Sequence, residues 1–397
     1  MFTSLFRSGS FIKTAFILCY LMSLGAKVLD LHAFTSLLNV VFAFMAVYVT
    51  LKEHFMTKPV ICELTVILLL LLIHNLTGHS QLYAGWEGAN ERGIFLQTFL
   101  LFVHFIIPCY LSKKGKLNDG DIIFLFVFTF FYAVMMYFKF LSFVSSLNSI
   151  TLGVGESTNN MAYIFVCLSP FVFLLKDTKK QFIILFIAFI FVFISAKRGA
   201  ILIGLLFLFY YLYNMFLKGK FSVRRILIMS ILFGVILISG YYIMLSNDYI
   251  YEKFIRTTEG YSSGRDRLAE DILGYVFGAE STIFNLFFGS GIGTSVKVAG
   301  NWAHNDWLEL LSMSGLLGVF LYLKLYISMW NFIKKSFKDR YYLIFSSAAM
   351  MLFVMSFFSM AFFVSTSTTY SLMVLMGYSY GFLTTQNQQD NCYSRIY

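Results

Sequence analysis

The sequence predicts an all-α polytopic membrane protein that forms a single integral membrane domain over 1–397. Three properties support this fold class: apolar residues make up 59% of the chain, charged residues only 13%, and the mean hydropathy is +0.76. A soluble domain carries about 25% charged residues, because its surface must be wetted. The composition therefore excludes an ordinary globular enzyme, and 48 Phe against 3 Pro also exclude disordered and collagen-like chains.

Apolar runs provide about twelve transmembrane helices, since one span needs roughly 20 apolar residues. We predict these spans at 11–29, 34–51, 60–75, 93–111, 121–143, 160–176, 181–196, 199–217, 225–246, 314–333, 341–363 and 366–384. Isolated polar residues inside them are interpreted as helix-packing groups, namely Glu63, His74 and His104.

The distribution of Lys and Arg between the spans predicts the orientation. With both termini in the cytoplasm, the cytoplasmic segments hold about twice as many basic residues as the outer ones. This bias also explains the net charge of +10, which in a soluble protein would suggest nucleic-acid binding. No basic stripe with interleaved aromatics lies outside the spans, so we expect no nucleic-acid partner.

The predicted topology leaves one large outer segment, 247–313, between spans 9 and 10. A connection this long between closely joined helices is uncommon unless it is functional. We therefore expect the chemistry there. No CxxC motif or Cys/His pair has the spacing of metal ligands, so the sequence predicts no metal and no cofactor.

The strongest motif in the outer segment is Asn301-Trp302-Ala303-His304-Asn305-Asp306-Trp307-Leu308-Glu309-Leu310-Leu311. The apolar spacing predicts a short helix at the membrane surface that includes His304. A histidine there can take a proton from a hydroxyl, although an interfacial residue of an aromatic belt with Trp302 and Trp307 is the alternative. Two carboxylates, Asp306 and Glu309, compete for the role of base.

Two further outer motifs point to anion binding. The run Phe288-Gly289-Ser290-Gly291-Ile292-Gly293-Thr294 has free N–H groups that can cradle a phosphate, or it forms a flexible re-entrant turn. In Ser262-Ser263-Gly264-Arg265-Asp266-Arg267-Leu268-Ala269-Glu270-Asp271, helical spacing gives Arg267 local acidic partners in Glu270 and Asp271. Arg265 has none on the C-terminal side, so it is the better candidate for an external anion.

A fourth motif, Lys197-Arg198-Gly199, is predicted to form a tight turn between two apolar runs on the outer face. Burying these cations without a partner would cost several kcal/mol, so an anionic partner is expected. Lipid phosphate reached by snorkelling and a bound diphosphate are the two alternatives.

In this order, the four motifs resemble the O-antigen polymerase and O-antigen ligase family over about half the chain, from about 190 to 335. The resemblance lies in Ser195-Ala196-Lys197-Arg198-Gly199-Ala200, Ser263-Gly264-Arg265, Gly289-Ser290-Gly291-Ile292-Gly293 and Ala303-His304-Asn305-Asp306-Trp307-Leu308-Glu309, with Gly315 opening the next span. The resemblance implies a GT-C type glycosyltransferase in the bacterial inner membrane with a periplasmic active site. It needs neither metal nor nucleotide.

The resemblance also implies substrates and residue roles. The substrates are undecaprenyl-diphosphate-linked oligosaccharides in the membrane lipid, and a chain-length regulator protein is an expected partner. Arg198 and Arg265 would hold the donor diphosphate, assisted by Lys197, and His304 would activate the acceptor hydroxyl. Supporting positions are Arg267, Gly291, Asn305, Asp306 and Glu309.

Three functions follow from these patterns. The Phe- and Ile-rich composition and the His304 motif favour the polymerase branch, which joins repeat units. The ligase branch, which transfers glycan to lipid A-core, is the alternative. A lipid-linked oligosaccharide flippase is the third, and it predicts charges within spans and matching halves.

Overall fold

The computed structural model describes residues 11–53, 58–76, 91–146, 161–194, 197–217, 234–235, 238, 242, 264–279, 281–336, 338–359, 361–363 and 368–393. Across these ranges the chain forms helices and no strand, which confirms the all-α prediction. The helices are α1 Phe11–Val28, α2 His32–Glu53, α3 Pro59–Leu76, α4 Glu91–Lys113, α5 Asp119–Ser146, α6 Met161–Leu168, α7 Thr178–Ile194, α8 Arg198–Leu217, α9 Arg265–Phe277, α10 Ile283–Phe288, α11 Thr294–Ala299, α12 Asp306–Lys335, α13 Arg340–Phe358 and α14 Tyr370–Tyr393.

Within the described ranges, eight helices are long and apolar enough to cross a membrane: α1 to α5, α8, α12 and α13. The fold is thus consistent with a polytopic helical membrane protein, with fewer such helices than the twelve spans predicted. The predicted span 160–176 is an eight-residue α6 that continues as a 3-10 helix through Ser169–Leu174, with Pro170 near its start. α7 has only 17 residues, and nearly all of 225–246 lies outside the described residues.

The C-terminal helix α14 covers most of the predicted span 366–384 and continues to Tyr393. It packs closely on α4. Gly377 and Gly381 lie one turn apart, and a Cβ at either would overlap the α4 backbone, at Phe105 and Cys109 respectively. Small residues at this spacing let two helices approach closely in a membrane. The pair therefore fixes α14 against the centre of the bundle.

Ion pairs join the helices at one end of the bundle, which we call the inner end. There Lys13 of α1 pairs with Asp121 of α5 at 2.7 Å, and Glu53 of α2 pairs with Lys114 at 2.7 Å. Arg340, the first residue of α13, pairs with Asp119 at 2.7 Å. These contacts place the start of α1 at the same end as the loops around Lys114 and 336–339, as the predicted alternation of spans requires.

The opposite end, which we call the outer end, holds the segment 264–306 and the ends of α1, α5 and α13. Asp30, between α1 and α2, pairs with Lys139 of α5. The hydrogen bond from Lys139 holds the pKa of the exposed Asp30 carboxyl below its ordinary value. The candidate functional residues of the sequence motifs lie at this end.

Candidate functional site

His304 lies just before α12 rather than within it, so the predicted helix boundary is wrong at this point. The side chain of Asn305 accepts hydrogen bonds from the N–H groups of Trp307 at 2.8 Å and Leu308 at 3.2 Å. An Asn side chain that satisfies these N–H groups defines the N-cap, so helical geometry begins at Asp306. The predicted supporting residue Asn305 is thus the residue that starts the helix.

The backbone of His304 adopts a left-handed conformation with φ of +52°. Among the described residues that are not glycine, only Asp30 shares a positive φ. Such a conformation costs of order 1–3 kcal/mol and persists where the surroundings impose it, which is common at functional sites. In this position the imidazole side chain projects from a capping loop and not from a helix surface.

The carboxylate of Asp306 is fully buried, and uncharged groups donate hydrogen bonds to it. It accepts a hydrogen bond from the Tyr322 hydroxyl at 3.1 Å and from the backbone N–H groups of Ala361 at 3.2 Å and Phe362 at 3.1 Å. These bonds fasten the turn that follows α13 to the start of α12. Asp306 therefore acts as a structural anchor in this geometry.

Glu309 is buried in the same way, one turn further along α12. Its two oxygens accept from the Ser295 hydroxyl at 2.9 and 2.8 Å, and one accepts from the Ala303 N–H at 3.1 Å. The carboxylate thereby joins α11 and the His304 loop to α12. Both competing carboxylates are buried and accept hydrogen bonds from protein donors.

In the glycine run, several N–H groups already have protein acceptors. The N–H groups of Ser290 and Gly291 donate at 3.0 Å to the carbonyl oxygens of Ser312 and Met313 in α12. Gly289 and Gly315 have positive φ, and a Cβ at either would overlap the backbone of the other segment. The run is therefore a turn bonded to α12 through Ser290 and Gly291, and the supporting role of Gly291 stays a prediction.

Gly315 also breaks α12 into two helical parts. Its φ of +62° and ψ of −160° are not helical. The first part, 306–314, carries the buried carboxylates, and the second, 316–335, has the 20 residues that a span needs. The prediction of a short helix that leads through Ser314-Gly315 into a span is confirmed by this break.

Arg265 is the first residue of α9 and reaches the end of α13. Gly264 before it has φ of +77°, and the Arg265 Nη1 donates to the carbonyl oxygen of Phe358 at 3.0 Å. No carboxylate of the described residues lies within ion-pair distance of this guanidinium. The other arginine of the motif, Arg267, is 88% exposed and lies 4.0 Å from Asp271, which matches its predicted local pairing.

Lys197 and Arg198 begin α8 close to the same end of α13. A Cβ at Gly199 would lie 3.4 Å from the Phe358 Cβ and would overlap the hydroxyl of Tyr163. Position 199 must therefore be glycine for α8 to meet α6 and α13 at this distance. The Lys197-Arg198 pair and Arg265 thus belong to segments that both contact Phe358.

The end of α13 gathers the predicted site residues. Trp307 Nε1 donates to the Ser356 hydroxyl at 2.8 Å, Asn305 Nδ2 donates to the Phe357 carbonyl at 3.2 Å, and Arg265 donates to the Phe358 carbonyl. The last carbonyls of a helix lack partners within it, so side chains from elsewhere can bind them. Two motifs far apart in sequence therefore bond to Ser356-Phe357-Phe358, and the Lys197-Arg198-Gly199 motif meets Phe358 through Gly199.

The sequence interpretation missed this end of α13 and Tyr163. A short polar pair, Ser356 and Ser359, flanking two phenylalanines near the end of a predicted span was the available signal. Within the described ranges, no group of three or more His, Cys, Asp or Glu side chains is arranged to hold a metal ion.

The comparisons with known proteins add no relative. No protein-family model matches the chain, and no curated protein matches it significantly.

Proposed function

We propose that the protein is an O-antigen polymerase, which joins undecaprenyl-diphosphate-linked oligosaccharide repeat units at the periplasmic side of the bacterial inner membrane. The proposal rests on the resemblance of the four motifs to the polymerase and ligase family. The observation that carries it is the convergence of three of these motifs on Ser356-Phe357-Phe358 at the end of α13.

In the proposed reaction, Arg198 and Arg265 hold the donor diphosphate, with Lys197 in support. The bond between the sugar C1 and the diphosphate oxygen breaks, and undecaprenyl diphosphate leaves with the bonding electron pair. Cations at this position stabilise the charge that develops on the leaving group. The contact of Arg265 with a neutral carbonyl supports this role, since that bond can be exchanged for a phosphate oxygen.

His304 takes the proton from the acceptor hydroxyl while the new bond from its oxygen to C1 forms. A sugar hydroxyl is a poor nucleophile at neutral pH, and an imidazole is well suited to accept its proton there. Asp306 and Glu309 support the assignment to His304 because their oxygens are held by other donors. The strained backbone of His304 supports it further.

The direct test is in-vitro polymerisation. The purified chain in detergent is given lipid-linked repeat units extracted from its own organism, and the glycan length and the released undecaprenyl diphosphate are measured. We expect a ladder of longer lipid-linked glycans with an equivalent release of diphosphate lipid. If the unchanged chain forms neither product, and the Arg267→Ala control forms neither as well, the proposal is contradicted.

Deletion of the gene separates polymerase from ligase. A lipopolysaccharide gel that shows a single capped repeat in place of the ladder identifies a polymerase. A bare core with accumulated lipid-linked polymer identifies a ligase. Movement of labelled repeat units across vesicles without a change in glycan length would identify a flippase instead.

Orientation has its own test. Asn301 lies at the outer end and Lys116 at the inner end, and both are exposed. A cysteine placed at 301 is expected to react with an impermeant reagent added outside intact spheroplasts, and one at 116 only after lysis. The reverse pattern would place the candidate site in the cytoplasm and contradict the proposed donor side.

A further inference from the structure

A polar recess at the outer end, separate from the site described above, contains an amine that has no carboxylate partner among the described residues. It lies between α1, α4, α5, α6 and α14 and is partly open to solvent. The side chains that define it are Lys27, His104, Tyr370 and Ser371, and a hydrogen-bonded pair, Tyr20 and Thr129, closes one wall. All the other residues in its lining come from the same helices.

Lys27 enters the recess from the last turn of α1. Its Nζ lies 4.9 Å from the centre of the Tyr370 ring, and no carboxylate of the described residues is within ion-pair distance of it. The nearest acid in sequence, Asp30, is paired with Lys139. An ammonium group in an apolar bundle is costly without a partner anion, because the ring face replaces only part of its hydration.

Two further side chains of the recess, Ser371 and His104, can hydrogen-bond to a polar ligand. The Ser371 hydroxyl is 3% exposed as a residue and makes no hydrogen bond in the described structure. His104 stacks on Tyr370 with ring centres 4.4 Å apart, and its Nδ1 bonds the Leu100 carbonyl at 2.6 Å. That bond makes Nδ1 the donor, so Nε2 is the acceptor of the neutral ring.

We propose that this recess binds a phosphate-class oxyanion, with Lys27 as the cation and Ser371 as a hydroxyl donor. A phosphate oxygen satisfies both groups at once, and a hydroxyl next to the phosphate can donate to His104 Nε2. Free phosphate and the headgroup of a phospholipid or isoprenoid phosphate share this chemistry. The inference does not rest on the proposed function.

A neighbouring helix supplies a matched control for Lys27. Lys52 also lies in the last turn of its helix, with its Nζ 5.2 Å from the centre of the Tyr48 ring. It is exposed and bonds the Tyr48 hydroxyl at 3.0 Å, and it does not line the recess. Both lysines lie in the last turn of a helix with the ammonium near a tyrosine ring, but Lys52 is at the inner end, is exposed, bonds a tyrosine of its own helix and lies outside the recess.

The test compares the full chain with its Lys27→Met, Ser371→Ala and Lys52→Met variants, purified in a phosphate-free neutral detergent. One arm measures binding of radiolabelled inorganic phosphate by equilibrium dialysis. The other measures by mass spectrometry how much added phosphatidylglycerol and undecaprenyl phosphate is retained, with diacylglycerol as the lipid without phosphate.

We expect Lys27→Met to lower the affinity in at least one arm by about tenfold or more, as the loss of a charge-assisted hydrogen bond does. Ser371→Ala should lower it severalfold without loss of fold, since its hydroxyl has no protein partner to lose. Lys52→Met should bind like the unchanged chain. Binding in the dialysis arm identifies free phosphate, and binding in the lipid arm alone identifies a headgroup.

Two results would overturn the proposal. One is that neither free phosphate nor any phosphate lipid binds above the diacylglycerol level. The other is that neither substitution in the recess weakens binding. In that case Ser371→Ala binds phosphate and lipid as the unchanged chain does, and monodisperse Lys27→Met binds them as Lys52→Met does. Lys27 would then be a helix-end lysine held only by the Tyr370 ring.

Discussion

The charged side chains at the two ends of the bundle have different kinds of bonding partner. At the inner end, acids and bases neutralise one another, as in Lys13 with Asp121 and Arg340 with Asp119. At the outer end, the buried acids Asp306 and Glu309 accept bonds from hydroxyl and N–H groups, while Arg265 donates to a carbonyl. The exposed pairs of Asp30 with Lys139 and of Arg267 with Asp271 are exceptions at the outer end.

This difference indicates that the charges of the inner end stabilise the fold, whereas those of the outer end can bind a ligand. A paired cation has already lost its hydration and gained its counterion, so an external anion gains little from it. A cation on a neutral carbonyl keeps most of its attraction for an anion. The outer end is therefore where an anionic substrate can be bound without breaking an ion pair.

The largest expected effect is on the rate of polymerisation, at His304. This prediction tests the proposed chemistry of the outer end rather than its binding of an anion. His304→Asn removes the proposed base but keeps a residue that tolerates a positive φ, so polymerisation should fall by roughly 10²–10⁴-fold with the fold intact. The measurement is in-vitro polymerisation across pH, with His32→Ala as the control for an exposed outer histidine. Near wild-type polymer from His304→Asn together with an inactive Asp306→Asn or Glu309→Gln would assign the base to a carboxylate.

The inner end is tested by Asp121→Asn, which should act on stability alone. It leaves the Lys13 ammonium buried without its counterion, since the two side chains are only 2% and 7% exposed. Loss of one partner of a buried pair costs roughly 3–5 kcal/mol. We expect a clearly lower melting temperature in detergent, whereas Asp271→Asn, in an exposed pair, should melt like the unchanged chain. Equal melting of both variants would show that the inner pairs do not hold the fold.

Arg265 and Arg267 test the outer end within one motif. Arg265→Ala should weaken donor binding by on the order of 1.5–3 kcal/mol, the value of a charge-assisted contact. Arg267→Ala should have little effect, because its exposed contact with Asp271 is weak and faces solvent. The readout is the donor concentration dependence of polymerisation. Equal activity of the two variants would remove Arg265 from the donor site.

The smallest effect is expected at Glu309, which we assign to positioning. In Glu309→Gln the Ser295 hydroxyl can turn to accept from the new amide, so only about 1 kcal/mol of stability should be lost. Activity should fall modestly, and the shape of its pH profile should stay that of the unchanged chain. A changed pH profile would show that the carboxylate takes part in proton transfer.

Much of the architecture could be predicted without the structure. The period and length of the apolar runs predict helices that the structure contains, with ends that differ by a few residues. The local pairing of Arg267 with Asp271 and the break at Gly315 were also readable, because both depend on residues close together in sequence. The predicted span 160–176 differs in form, because α6 is followed at Ser169–Leu174 by a 3-10 helix that contains Pro170.

The remaining features depend on contacts between distant segments, which no local pattern encodes. One prediction for the glycine run was a row of free N–H groups, but α12 supplies the acceptors for two of them, those of Ser290 and Gly291. His304 was expected in a helix, but the Asn305 cap and the bonds of Glu309 hold it outside. The sequence analysis interpreted His104 as a helix-packing group, and none of its motifs included Lys27. Only the packing of α1, α4 and α14 brings them to one recess, because burial by neighbouring helices decides which polar groups find partners within the protein.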